Sequence, residues 1–191
     1  MTEERHLGET IRQIREEKGI TLAELAGKCP LSVEMLEHIE TGQLLPSLAP
    51  LMKIARALGV RLGTFLDDKE QGGPVVVRGG RAESVVRFSG SGLENTGELD
   101  FYSLASQKKD RHMEPFIVEV HAGKDSAPEL SSHEGEEFLY VLQGAVEVVY
   151  GRDTHILQAG DSIYYDSVVP HEVRASGEHR ARILAVVYVP F

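Results

Sequence analysis

Residues 21–42, TLAELAGKCPLSVEMLEHIETG, decide how the first part of the chain folds. Thr21 stands three residues before Glu24, the spacing at which a hydroxyl and a carboxylate satisfy each other's backbone N–H groups and open a helix. Gly19 ends the helix before it, Pro30 breaks the one it opens, Ser32 starts the next, and Gly42 closes that. Only a short connection separates the two helices. A pair joined this tightly forms a helix-turn-helix unit that presents one helix outward.

Working outward, apolar residues recur at helical spacing at 7, 11 and 14, at 22, 25 and 26, at 35, 36 and 39, and at 51, 54, 55 and 58. Pro46 and Ser47 start a fourth helix, and residues 62–66 supply a short fifth. The expectation is an all-α bundle of five helices over residues 1–68. Cys29 is the single cysteine, so it has no intrachain disulfide partner, and it is expected to be a small buried residue beside Pro30.

Past the bundle the composition changes. Residues 67–80, DDKEQGGPVVVRGG, are charged and glycine-rich, as a linker is, with one short strand expected at 75–77. Beyond them the apolar pattern shifts to period two or to short runs at 85–88, 101–104, 116–120, 138–142, 146–150, 162–165, 172–175 and 183–189. Short strands at this spacing, punctuated by Gly, Asp, Asn and Pro, read as an all-β sandwich or barrel. The expected organisation is a helical domain at 1–68, a linker at 69–83 and a β domain at 84–191.

The bulk numbers bound what these domains do. No apolar run among the 191 residues approaches the roughly 20 that span a bilayer, and the first seven residues are too polar for a secretory signal. A cytoplasmic protein with no membrane partner is expected. The net charge of −10 argues against indiscriminate adhesion to nucleic acid. Even residues 1–68 hold 8 Lys+Arg against 11 Asp+Glu. Any DNA binding must therefore rest on local arrangement rather than on a basic footprint.

Residues 7–66 resemble the lambda-repressor-like family of helix-turn-helix domains. The resemblance is carried by the IRxxRxxKG run ending helix 1, TLxELA in helix 2, IExG closing helix 3, and PSLxxLxKIAxALGV after it. It implies that the third helix enters a major groove, with Val33, Glu34 and His38 at base-reading positions and Ser32 and Glu37 beside them. Glu34 suits a cytosine amino group and Val33 a thymine methyl. Thr21 at the start of helix 2, with Arg12, Arg15 or Lys28, would contact phosphates. The acidic recognition helix departs from the common pattern. Two copies would relieve this by adding two modest half-site contacts on a palindromic operator.

Residues 128–189 resemble the cupin family, small β-barrels of jelly-roll type that often hold a metal. Ser131-Ser132-His133-Glu134-Gly135-Glu136-Glu137 through Gly144 follows the first cupin motif, and Gly160-Asp161 through Val169-Pro170-His171 follows the second. The resemblance implies that His133, Glu137 and His171 share the barrel interior, a ligand set suited to Fe(II), Mn(II), Ni(II) or Zn(II). A metal-free polar pocket is the alternative. Ser131 stands where the family has its first histidine, so Ser131, His121 and His112 are candidates to lie nearby. Alternation from Glu137 turns Leu139 and Val141 inward, and Tyr165 or Arg182 is a candidate to fix a polar ligand. His112, His155 and His179 are expected at the surface.

Together these readings predict a sequence-specific DNA-binding transcription regulator that is not an enzyme. Its partners would be a double-stranded operator, a small-molecule effector and further copies of itself, as a homodimer or higher homo-oligomer. The alternative is an enzyme, because a family of mononuclear iron epoxidases acting on hydroxypropylphosphonate also joins a helix-turn-helix to a cupin barrel. SSHEGEEFLYVLQG looks like its motif, including the missing first histidine. In that comparison Lys18 lies one place from the expected helix 1 lysine, and the active-site tyrosine falls near Tyr102.

Overall fold

The structure, a computed structural model, describes residues 3–66, 74–78, 83–88, 99–108, 111–122 and 130–188. The chain divides into two compact units between Asp67 and Asp68.

The first unit holds five helices: α1 (Glu3–Glu17), α2 (Leu22–Lys28), α3 (Val33–Glu40), α4 (Leu48–Leu58) and α5 (Gly63–Leu66). Their ends follow from local chemistry. Thr21 Oγ1 accepts from Glu24 N at 3.2 Å while Glu24 Oε2 accepts from Thr21 N at 2.8 Å, so the capping box is complete. Ser32 caps α3 by accepting from Met35 N at 3.1 Å. The apolar stripes meet in one core of Ile11, Leu25, Leu36, Ile39, Leu51 and Ile54, all essentially inaccessible. Each such side chain contributes roughly 1.5–3 kcal/mol when fully buried. Cys29 packs at its edge, its thiol donating to Leu25 O, and burial pushes that thiol's pKa up. Gly8 allows α1 to lie on α3, because a Cβ at that position would come 2.3 Å from Ile39 O.

The second unit is antiparallel. Its strands are β1 (Glu83–Phe88), β2 (Leu99–Ser103), β3 (Met113–Val120), β4 (Glu136–Gln143), β5 (Ala145–Tyr150), β6 (Asp153–Gln158), β7 (Ser162–Asp166), β8 (His171–Ala175) and β9 (Ala181–Tyr188). One sheet has the order β1-β2-β3-β9-β4-β7 and the other β6-β5-β8. The inner face of the large sheet carries Phe101, Phe116, Val118, Leu139, Val141, Ile183 and Val187, and the small sheet adds Val146 and Val148. The expected barrel is realised as two sheets that hydrogen bonding does not close. Among the described residues, a single bridge outside the named strands, Ser131 with His171, extends the pairing.

Two expectations need correction. Residues 74–78 form no strand, so the short strand expected at 75–77 is not made there; Val75 and Val77 are only half-buried and no described strand pairs with them. Conversely, β6 was not expected from its sequence, Asp-Thr-His-Ile-Leu-Gln. Five of its six residues are exposed, so no buried face imposes an alternating pattern. It forms because Gly151, at φ 61°, turns the chain back and lets Asp153 pair with Tyr150.

Candidate functional site

In the β unit, His133, Glu137 and His171 are all buried and offer ligand atoms within 4.8 Å of one another. Three different elements deliver them. Glu137 is the second residue of β4 and points inward with Leu139 and Val141, as alternation requires. His133 sits in the loop before β4, pinned where its N–H donates to Ser167 O at 3.0 Å and Gly135 O accepts from Ser167 N at 2.9 Å. His171 opens β8 and is tied to Ser131 by reciprocal backbone bonds of 3.0 and 2.9 Å. Ser131 therefore stands beside the cluster through its backbone.

The hydrogen bonds assign the tautomers. His133 Nδ1 faces Glu134 O at 3.1 Å and His171 Nδ1 faces Val169 O at 2.8 Å, so in each ring Nδ1 carries the proton. The two Nε2 atoms then present lone pairs toward Glu137 Oε1, at 2.7 Å from His133 and 3.6 Å from His171. Three buried acceptors converging on one point need a cation between them, a proton or a metal ion. Two imidazoles with backbone-anchored Nδ1 and one carboxylate are a donor set that fits a divalent transition metal. Burial alone would raise the Glu137 pKa, but when the imidazoles take a second proton at Nε2, their hydrogen bonds and charge bring it down to about 2.

Tyr165 completes the arrangement. It lies directly opposite Glu137 across the β4/β7 pair and donates its hydroxyl to Glu137 Oε2 at 2.6 Å. Its ring packs 5.0 Å from the His171 ring and 5.3 Å from that of Tyr150. Burial and the neighbouring carboxylate push its pKa far up, so the hydroxyl stays a donor. Arg182 does not join the site. It is exposed on β9, between inward-facing Ala181 and Ile183. Alternation with Ile183, Ala185 and Val187 is the signal that places it outside.

The other histidines lie elsewhere. His112, His155 and His179 are exposed. His121 stands with Asp100 and Glu119 in a separate group, its Nε2 2.9 Å from Asp100 Oδ2. Tyr102 pairs with Ile117, one residue out of phase with inward-facing Phe101 and Val118, so it occupies the sheet face opposite Glu137.

In the helical unit, Ser32, Val33, Glu34 and Glu37 are exposed along α3, while Leu36, Ile39 and Glu40 face the core. Val33 is 44% exposed, an apolar side chain turned to solvent at the first turn. His38 is half-buried, and Thr21 is exposed at the start of α2 with its hydroxyl in the capping box. Arg12 is exposed and donates to Glu16 at 2.8 Å. Arg15 differs from the expectation of a phosphate contact. It is buried, donating to both carboxylate oxygens of Glu40 at 2.6 and 2.8 Å and to Ile20 O at 2.8 Å. This fork locks α1 to α3. Its place four residues after Ile11, on the Leu7–Ile11 stripe, is the signal that marks it as inward.

Comparison with known proteins agrees with both halves. Residues 11–65 match the helix-turn-helix family and residues 116–187 the cupin domain family. The HTH-type transcriptional regulator SutR of Escherichia coli (strain K12) is 25% identical over 188 residues, covering 97% of this chain and 96% of SutR. The (S)-2-hydroxypropylphosphonic acid epoxidase of Streptomyces wedmorensis is 28% identical over 176 residues, covering 86% of this chain and 85% of that enzyme. The fold is shared with a helix-turn-helix family transcriptional regulator from Vibrio cholerae, with a TM-score of 0.68 and 22% identity across 98% of this chain and 97% of that one.

Proposed function

We propose that the chain, which matches the helix-turn-helix family over residues 11–65 and the cupin domain family over residues 116–187, is a DNA-binding transcription regulator whose cupin domain senses a small molecule. The observation that carries this reading is the division of α3 into two faces. Leu36, Ile39 and Glu40 fix it in the bundle, leaving Ser32, Val33 and Glu34 presented to solvent on a capped first turn and Glu37 on the turn after it. A helix held this way offers its N-terminal half to base edges without ordering cost. Thr21 and Arg12 flank it as phosphate contacts; for Arg12 the phosphate must displace Glu16. The acidic character of Glu34 and Glu37 makes one copy a weak binder, so the working form is a homodimer on a palindromic operator.

In the cupin domain His133, Glu137 and His171 would hold a divalent metal, whose remaining coordination positions would take an effector carboxylate or phosphonate. Tyr165 and the two backbone carbonyls orient the ligands. The effector acts on DNA affinity through its unequal affinity for two conformations of the dimer.

A second reading, an epoxidase, is favoured by the relative that is 28% identical. The position of Tyr102 on the sheet face away from Glu137 weighs against it. Footprinting of the region upstream of the protein's own gene tests the regulator. Two half-sites about 34 Å apart support it. Turnover of a hydroxyphosphonate by the iron-loaded protein, without any footprint, would favour the enzyme.

A further inference from the structure

The outer face of the six-stranded sheet carries a second place where ligand atoms converge. Asp100 of β2 and Glu119 of β3 stand directly opposite each other, one residue out of phase with Phe101, Val118 and Val120, which face the core. Like charges in that relation repel and weaken a sheet. Asp100 is also buried, its side chain 8% exposed, where solvent does little to screen the repulsion. His121, two residues after Glu119 and just past the end of β3, sets its Nε2 2.9 Å from Asp100 Oδ2. One ligand atom from each of these three side chains lies within 4.8 Å of the other two.

Such a group is stabilised by a cation between its members, either a proton on the imidazole or a metal ion. Register sets Arg87 of β1 opposite Asp100 and Arg182 of β9 opposite Glu119, so the row across these strands holds as many basic residues as acidic ones. A diffuse excess of negative charge is therefore not the attraction; the three converging donors are. Two carboxylate oxygens and one imidazole nitrogen balance the charge of a divalent ion and are ligand types that Zn(II) takes. His121, 34% exposed, opens the group to solvent, so an ion has a way in and water can complete its coordination. The flanking arginines lower the affinity, so the site fills from added Zn(II) rather than during purification. It shares no residue with the His133, Glu137 and His171 cluster and lies on the opposite face of the sheet from Glu137, with β9 between β3 and β4.

We propose that Asp100, Glu119 and His121 form a second divalent-metal site, independent of the cluster in the cupin interior, at which an ion ties the start of β2 to the end of β3.

Zn(II) titration of the full-length protein tests it, with calorimetry counting bound ions and thermal melts reading their effect on stability. The His133→Ala protein, in which the interior cluster is broken, is expected to take up one equivalent of added Zn(II) and to melt at a higher temperature with it. Adding His121→Ala should remove both the equivalent and the rise. Glu119→Gln, which keeps the shape of the side chain, should do the same, and melts without zinc that match the parent's show that each variant folds. No uptake by the His133→Ala protein would overturn the proposal and leave the interior cluster untouched. Uptake that survives both His121→Ala and Glu119→Gln would mean an adventitious ion only, and would overturn it as well. A wild type whose single equivalent is lost with His121→Ala and kept with His133→Ala would support this site and remove the interior cluster as a metal centre.

Discussion

Tyr165 and Glu137 face each other across two paired strands, and the tyrosine hydroxyl holds one carboxylate oxygen while His133 approaches the other. The carboxylate therefore has a fixed orientation before any ligand arrives. One of its oxygens is occupied by a donor and the other is left for the point where the two imidazoles converge.

Tyr165→Phe removes that donor with little change of volume. The expected result is a loss of metal affinity of about 10- to 100-fold, the usual scale for an outer hydrogen-bonding partner of a ligand. Titration of the purified protein against a competing chelator measures it. An unchanged affinity would mean that the hydroxyl does not orient Glu137.

His133→Ala and His171→Ala should each reduce bound metal to near zero, while His155→Ala, exposed on β6, should keep the wild-type content. Elemental analysis of the three proteins decides this. Equal metal in all three would remove the cluster as a metal centre. Metal lost without a change in the DNA response would give it a structural or catalytic role instead.

Metal affinity should also fall with acid. Ligation needs a neutral imidazole, and a free histidine gains its proton near pH 6.5. For His171 burial works against the charged form, but the Glu137 carboxylate 3.6 Å from its Nε2 outweighs that and raises the pKa, so proton competition there begins above the ordinary histidine range. Glu137 remains ionised until about pH 2 and does not contribute. Chelator titrations between pH 5 and 8 should show affinity rising with pH; a flat profile would exclude the histidines as ligands.

How much of this was legible in the sequence depends on how local each cause is. The starts of α2 and α3 were readable because Thr21, Glu24 and Ser32 act within one turn. Strands with one buried face were readable from alternation, and β6 was not, because its residues touch solvent on both sides. The convergence of His133, Glu137 and His171 was legible through motif spacing. The role of Tyr165 depends on the register of β4 with β7, which no local pattern encodes. Arg15 was misread because an arginine suggests a phosphate, whereas its position on the buried stripe of α1 puts it against Glu40, 25 residues away.

That ion pair makes its own prediction. Arg15→Ala leaves the Glu40 carboxylate buried without its partner, which costs about 3–5 kcal/mol. Gly8→Ala should cost about 1–3 kcal/mol, since its methyl meets the backbone of Ile39 and neither side can yield without parting α1 from α3. Denaturant melts followed by helical circular dichroism test both. A change below about 0.5 kcal/mol in either would contradict the packing described for the bundle.

A regulator of the proposed kind requires that α3 read sequence. Fluorescence anisotropy at physiological salt, comparing the footprinted duplex with random DNA of equal length, tests it most directly. A preference of about 10³-fold or more for the footprinted duplex is expected. Val33→Ala should relax the choice at one base pair, while Arg12→Ala should weaken binding to all sequences and flatten its salt dependence. Equal affinity for both duplexes would contradict the account.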